Sequence, residues 1–355
     1  MKIGVITFHR AHNYGAMLQC YALSEILKML GHEVEVIDYL PTQFKIEYSI
    51  YPFWHLSLWR KITQFLKILP VFDIKIKRSR AFNGFIKTLP LSRVSYNETN
   101  VDIKGYDVIF FGSDQIWNPT LTNNMDRVYC GDFPKCGTKF VAYAASTSPK
   151  ILRDEYRSYF KGIIDHFDKI STREQSLTDY LNSISPGISR VVLDPVLLLS
   201  KDQWSKIAIR PKESKYLLVY TVPQHPDIMQ VAQDIAADKG LEVIEIRPNV
   251  HNIRKKGYLQ YVSPAEFLGY IMFADFVLTT SFHGTALSVV YEKQFITLSI
   301  NELVDDRSRN LLSSLGLADR LKQSRDVRFG DVEYNPRALE NMRESSIDYI
   351  KSSLE

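Results

Sequence analysis

Apolar, β-branched runs alternate with segments of helical periodicity in two successive series. That alternation predicts an α/β protein of two doubly wound domains facing each other. Two further observations agree. At 355 residues the chain is too long for one ordinary core. Polar residues also gather where the apolar runs stop, and ligands in such sheets sit beyond the C-terminal ends of the strands. The composition, 45% hydrophobic and free of low-complexity tracts or obvious repeats, is globular. A formal charge of +4 is too small to imply a nucleic-acid partner.

The first series opens with Lys2–Thr7, rich in Ile and Val as a buried strand is. After the polar loop "HRAHNYGA", the stretch "MLQCYALSEILKML" sets Leu18, Tyr21, Ala22, Ile26 and Leu30 at helical spacing, and Gly31 closes it. "EVEVIDY" is a second strand, parallel to the first. "YDVIFFGSD" and "FVAYAAS" resume the pattern, followed by a helix over Ile151–Phe167, a short strand before "STREQS", and the strand "SRVVLDPVLLL", which Asp194-Pro195 breaks.

The second series reads "YLLVYTV" as a strand, "PDIMQVAQDIAADKG" as a helix and "LEVIEI" as a strand. "SPAEFLGYIMFA" is a helix with Ser263 as its cap and Pro264 in its first turn. "DFVLTT" and "QFITLSI" are strands, and "DRSRNLLSSLG" and "PRALENMRESSIDYIKSSL" are helices. The expected division is 1–198, carrying a helical insert at 44–93, then 199–335, then a C-terminal helix at 336–355 that packs back on the first domain.

The three cysteines, Cys20, Cys130 and Cys136, are odd in number and scattered, which argues against a disulfide framework. The latter two are too far apart for a CxxC pair, and no His cluster completes a metal site, so none is expected. "MKIGVITF" lacks the apolar core of a signal peptide, and no apolar run is long enough to span a bilayer. The expectation is a cytoplasmic protein.

Four strand ends carry polar residues. In "HRAHNYGA", Asn13 and Gly15 precede a helix N-terminus, where free N–H groups and the helix dipole favour an anion; Gly15 lets a ligand approach, or the pair is a capped tight turn. The GxGxxG pattern of a dinucleotide site is absent. In "FFGSDQIWNP", Ser113 and Asp114 end a hydrophobic strand. Asp114 is either a cap, with Trp117 in the core, or a base placed to meet a sugar hydroxyl.

In "ISTREQS", Arg173 follows a strand. It pairs at the surface with Glu174 or Glu155, or clamps a phosphate or carboxylate with its planar fork. The fourth stretch, "DFVLTTSFHGTALSVVYEK", sets His283 beside Gly284, which leaves room for a ligand. Ser281, Thr285 and the helix N–H groups are able to hold an anion, and Lys293 comes one helix later. A lone histidine is more often a hydrogen-bonded structural residue, but this turn reads as a seat for an acidic ligand beside a proton donor.

Together "NYGAMLQCYAL", "GSDQIWNP", "STREQS", "LDPVLLL" and "TTSFHGTALSVVYEKQFITL" resemble the polysaccharide pyruvyl transferase family, in order and spacing, from Lys2 to about Arg320. The resemblance implies two Rossmann-like domains in the glycosyltransferase-B arrangement, with acceptor on the first and donor on the second. It implies transfer of a pyruvyl group from phosphoenolpyruvate, a donor substrate rather than a cofactor, to a sugar hydroxyl pair of a polysaccharide or lipid-linked precursor as a cyclic ketal. His283 matches the catalytic histidine of the family, Arg173 an arginine tied to donor binding, and Lys293 lies near a lysine that some members use. Many members carry arginine two residues before the histidine, where this chain has Ser281; the positive charge is then expected from Arg173, Lys293, Arg307 or Arg309.

The implied chemistry needs an acid at the methylene carbon, assigned to His283, and a base at the hydroxyl, assigned to Asp114. Two rivals stand beside it: a nucleotide-sugar glycosyltransferase of the same shape, and a non-catalytic sugar-binding or scaffold protein. Retention of His283, Arg173 and Asp114 at strand ends speaks against the second.

Residues 44–93 break the rhythm. They are aromatic (Phe44, Tyr48, Tyr51, Phe53, Trp54, Trp59, Phe65, Phe72, Phe82, Phe85) and basic (Lys45, Arg60, Lys61, Lys67, Lys75, Lys77, Arg78, Arg80, Lys87), opposed only by Glu47 and Asp73. They match no family motif. Either the aromatics are core for helical insertions with the charges solvated, or the segment meets anionic lipid at the inner face of the plasma membrane, with Lys75, Lys77, Arg78 and Arg80 as its basic face.

Overall fold

A computed structural model describes residues 1–50, 57–122, 124–323 and 330–355. Strand β1 (Lys2–Ile6) leads to α1 (Tyr14–Met29) and β2 (Glu33–Tyr39). Gly31, at φ +88°, terminates α1 in the left-handed conformation that glycine adopts without a Cβ penalty. Then come α2 (Thr42–Glu47), α3 (Leu58–Ile68), α4 (Phe72–Ile86), β3 (Leu91–Tyr96), β4 (Val108–Phe111), β5 (Lys139–Ala145), α5 (Arg157–His166), β6 (Lys169–Thr172), α6 (Gln175–Ile184) and β7 (Ser189–Val191). The seven strands form one parallel sheet in the order β3-β2-β1-β4-β5-β6-β7.

After α7 (Lys201–Ser205) the second series runs β8 (Tyr216–Tyr220), α8 (Ile228–Lys239), β9 (Glu242–Ile246), β10 (Tyr258–Leu259), α9 (Pro264–Phe273), β11 (Phe276–Thr279), α10 (Phe282–Val290), β12 (Phe295–Leu298), α11 (Glu302–Ser314), β13 (Leu321–Lys322) and α12 (Pro336–Leu354). Its six strands are also parallel, in the order β10-β9-β8-β11-β12-β13. Consecutive strands joined by crossover connections, many of them helical, run parallel. The strand order reverses between β1 and β4 in one sheet and between β8 and β11 in the other. Each reversal opens a crevice at the strands' C-terminal ends.

The two domains share apolar surface. Tyr14 of α1 stacks on Phe267 of α9 at 4.5 Å between ring centroids and meets Tyr220 edge-on at 5.8 Å. α12 returns to the first sheet. Ser346 Oγ accepts the Leu193 N–H at 3.0 Å, Arg343 donates to the Leu197 carbonyl at 2.6 Å, and Tyr349 packs on Tyr143. Cys20 and Cys130 are buried, with burial pushing the Cys130 thiol up to about 12.

Three elements differ from the sequence reading. The helix expected over Ile151–Phe167 begins only at Arg157, because separate 3₁₀ turns at Pro149–Ile151 and Asp154–Tyr156 precede it. The strand in "SRVVLDPVLLL" is three residues long, since Asp194 caps a turn that starts at Pro195. The insert is not wholly helical to Arg93. Its end joins the sheet as β3, an edge strand whose exposed middle residues lack the apolar run of a buried strand.

The insert also does not present one solvated basic face. Arg78 is buried; it donates to the His12 carbonyl of the first domain at 2.7 Å and to the Gln260 carbonyl of the second at 3.1 Å. Arg254 of the second domain binds both oxygens of Asp73, and Lys77 lies 5.1 Å from the Tyr261 ring centre. α4 is thus a strap across the domains, and Phe44, Phe82 and Phe85 are core. Trp59 and Phe65 are exposed. Tyr51, Phe53 and Trp54 lie outside the described residues, as does the side chain of Lys61. No described helix is long and apolar enough to cross a membrane.

Candidate active site

The two crevices meet. α1 begins at the end of β1 and α10 at the end of β11, and the first turns of these helices touch: a β-carbon built on Gly15 would lie 2.0 Å from His283 Nδ1. The loop after β11 is held by the two threonines that end the apolar run. Thr279 Oγ1 accepts the Ser281 N–H at 3.0 Å and donates to the Tyr220 carbonyl at 2.6 Å, while Thr280 Oγ1 donates to the Pro223 carbonyl at 2.8 Å. These bonds fix the angle at which α10 starts. No side chain caps its first turn, whereas Asn13 caps α1 by accepting the Ala16 N–H at 3.2 Å. Both helix dipoles place their positive ends at His283.

Behind the histidine sits Asp194, fully buried. Its Oδ2 accepts from Arg173 Nη1 at 2.6 Å and from the Ser113 hydroxyl at 2.9 Å, and Oδ1 accepts the Val196 N–H at 3.0 Å. His283 Nε2 stands 3.7 Å from the same Oδ2, an electrostatic contact too long for a hydrogen bond, and is buried without a hydrogen-bond partner. Burial alone would raise the Asp194 carboxyl. His283 and Arg173 outweigh it and hold the carboxyl well below the usual range, so it is ionised at neutral pH.

A cavity of about 300 Å³ opens between the domains, lined by Asn13, Asp114, Ser281, His283 and Arg307 together with Tyr48 of the insert. Asp114, at φ +75°, follows β4; its Oδ1 accepts the Gln115 N–H at 2.9 Å and is 3.3 Å from Arg173 Nη2. Arg307, on α11, enters from the second domain and makes no hydrogen bond or ion pair to a described residue; its guanidinium lies 5.8 Å from the Phe282 ring centre. Burial, then the like charge of Arg173, push its pKa below the ordinary guanidinium value.

Seven of the expected residues do not line this cavity. Gly15 leaves room for the histidine ring rather than for a ligand. Gly284 is packed: a β-carbon there would meet Thr279 Oγ1 at 2.3 Å, so the glycine lets α10 lie on β11. The buried Thr285 hydroxyl is engaged with Thr297 Oγ1 at 2.7 Å and the Ser281 carbonyl at 3.1 Å, which leaves it nothing to offer an anion. The Ser113 hydroxyl faces inward, onto Ala144 and Asp194.

Arg173 pairs with neither Glu174 nor Glu155; it is buried between two aspartates and stacked 4.9 Å from the Phe282 ring centre. Lys293 follows the far end of the nine-residue α10, which lies roughly 10 Å along the helix from His283, and donates to the Met272 carbonyl at 3.1 Å. Burial pushes its pKa down. Arg309 does not line the cavity.

Asp194 is the site residue that motif reading passed over, because an aspartate before proline is also an ordinary strand breaker. The part played by Tyr48 carries no sequence signal, since it depends on how the insert folds over the cleft.

A model of the family described as polysaccharide pyruvyl transferase matches residues 13–302. A search of the curated proteins returned no match. Among solved structures, the chain is similar to a UDP-GlcNAc 2-epimerase from Methanocaldococcus jannaschii (10% identity, 98% of this chain and 93% of that one, TM-score 0.48). It is also similar to UDP-GlcNAc 2-epimerase from Neisseria meningitidis bound to UDP-GlcNAc (10% identity, 100% and 93%, TM-score 0.45). A third is UDP-N-acetylglucosamine 2-epimerase from Rickettsia bellii (10% identity, 100% and 97%, TM-score 0.42).

Proposed function

The chain belongs to the polysaccharide pyruvyl transferase family, and on that premise we propose that it transfers the pyruvyl group of phosphoenolpyruvate to two hydroxyls of one sugar in a polysaccharide or lipid-linked precursor. The products are a cyclic ketal and inorganic phosphate. The observation that carries this reading is the setting of His283, at the meeting of two helix N-termini, with ionised Asp194 behind it and Arg307 lining the same cleft.

Phosphoenolpyruvate brings a carboxylate and a phosphate. The helix N-termini and Arg307 suit those charges, and they take the role expected of an arginine at Ser281. Protonated His283 gives its proton to the methylene carbon, which becomes a methyl group, and the adjacent carbon becomes open to attack. The first hydroxyl adds its oxygen there and loses its proton to Asp114. The second hydroxyl then displaces phosphate, which leaves with its bonding electron pair and carries off that hydroxyl's proton as hydrogen phosphate, and the ring closes. The Asp194 carboxylate, 3.7 Å from Nε2, is opposite in charge to the imidazolium that this sequence needs at its start. Arg173, tied to both aspartates, holds the acid and the base in fixed relation.

A second cavity, of about 790 Å³, shares Glu47 with the cleft and is walled by the first domain. Its carboxylates Glu98, Asp126 and Asp132 suit a hydroxyl-rich acceptor better than an anionic donor. Incubation with phosphoenolpyruvate and candidate sugars, read by phosphate release and by mass spectrometry of the acceptor, tests the reading. Acceptor-dependent phosphate release with a ketal product is expected. A protein whose melting temperature rises with a nucleoside diphosphate but not with phosphoenolpyruvate, and which forms no ketal, would overturn it.

A further inference from the structure

We propose that α3 is a docking helix for an anionic lipid surface, and that it seats the cleft against that surface. Trp59, Leu66 and Leu69 are 80, 60 and 53% exposed, and Phe65 is exposed beside them. Trp59, Leu66 and Leu69 stand at i, i+7 and i+10, one face of a helix. Single exposed apolar side chains are common, but four large ones within eleven residues make a patch that calls for a partner. Among the described residues, the main packing of α3 is on the turn Leu69–Val71 that follows it.

Charge selects the partner. From Ser57 to Val71 the chain holds Arg60, Lys61 and Lys67 and no acidic residue. The next carboxylate, Asp73, has both oxygens taken by Arg254. A basic segment with a tryptophan and leucines on its exposed face suits lipid headgroups, where the indole settles at the interface and the cations meet negative charge. The basic face is therefore that of α3, since Arg78 in α4 is buried between the domains.

The position matters for the site. Just before α3 in the chain, Phe44 and Tyr48 wall the cleft; just after it, Arg78 holds the His12 carbonyl at the cleft loop. The chain thus runs from the cleft wall into α3 and back to the cleft loop, which ties a docked α3 to the site. Binding needs neither donor nor turnover, so this inference stands apart from the pyruvyl-transfer reading.

The test is co-sedimentation of the full chain with phosphatidylcholine vesicles containing phosphatidylglycerol, against phosphatidylcholine alone, at low and high salt. Wild type is expected to bind the anionic vesicles on the order of tenfold more tightly, and to lose that preference in high salt. The pair Trp59→Ser with Leu66→Ser, and separately Arg60→Glu with Lys67→Glu, should abolish binding. Both should keep the wild-type melting temperature and full turnover of a short water-soluble acceptor. Absence of wild-type binding at low salt overturns the proposal, as does undiminished binding by both variants. So does a wild-type dimer that ignores vesicles and that Trp59→Ser with Leu66→Ser splits into monomers, because α3 would then cover a second copy of the chain.

Discussion

Gly15 and His283 come from opposite halves of the chain and meet so closely that a β-carbon on the glycine would stand 2.0 Å from Nδ1 of the ring. The flanking atoms Cγ and Cε1 would be 2.3 and 2.5 Å away, so no small rotation of the imidazole clears the space. The missing side chain of one domain is the seat for the candidate acid of the other.

Gly15→Ala should therefore act as an active-site mutation while leaving the fold intact. The ring must move, and a displacement of about 1 Å at a reacting group costs on the order of a hundredfold in rate. Steady-state kinetics should show the loss in kcat, with cooperative thermal unfolding retained.

His283→Gln and His283→Ala remove the proton donor without disturbing a hydrogen bond, since Nε2 makes none. Turnover should fall by about 10²–10⁴. Binding of phosphoenolpyruvate, measured by calorimetry, should change much less. Near-full activity in His283→Ala would remove the residue from the mechanism.

Arg307→Ala and Lys293→Ala should part company. Arg307 lines the cleft and makes no hydrogen bond or ion pair to a described residue, whereas Lys293 is committed to the Met272 carbonyl at the other end of α10. A charge-assisted contact is worth about 1.5–3 kcal/mol, so Arg307→Ala should weaken donor binding roughly ten- to a hundredfold. Lys293→Ala should leave it unchanged. Titration of both variants with phosphoenolpyruvate checks the contrast.

Asp194 links stability to pH. Its folded carboxyl lies below the value it has in the unfolded chain, so the unfolded state takes up the proton first as pH falls. The stabilisation is complete above about pH 4 and is lost below it. Asp38 behaves the same way: its burial is outweighed by His9, Arg10 and Ser95, which hold its carboxyl low. Asp194→Asn leaves Arg173 without its closest counter-charge and should cost about 3–5 kcal/mol at neutral pH. Chemical denaturation across the acid range should then show a shallower decline for the variant than for wild type.

Much was legible without the fold. The alternation of apolar runs with helical periods marks two parallel α/β sets because side-chain period depends only on neighbours a few residues away. Asn13, Asp114, Ser281 and His283 were readable as cleft residues on the same ground: strand ends in such sheets point to one edge. What tertiary structure alone decided is which of those residues face each other. Asp194 reads as a strand breaker until His283, Arg173 and Ser113 converge on it. Gly15 and Gly284 read as space for a ligand, yet one admits the histidine ring and the other the flank of β11. Arg78 reads as a surface charge until two domains close their carbonyls around it. Local pattern specifies the element and the end of it a residue occupies. Contacts between domains depend on how two sheets pack, and that packing is set by apolar surfaces such as Tyr14 on Phe267, which lie far apart in the chain and carry no periodic signal of their meeting.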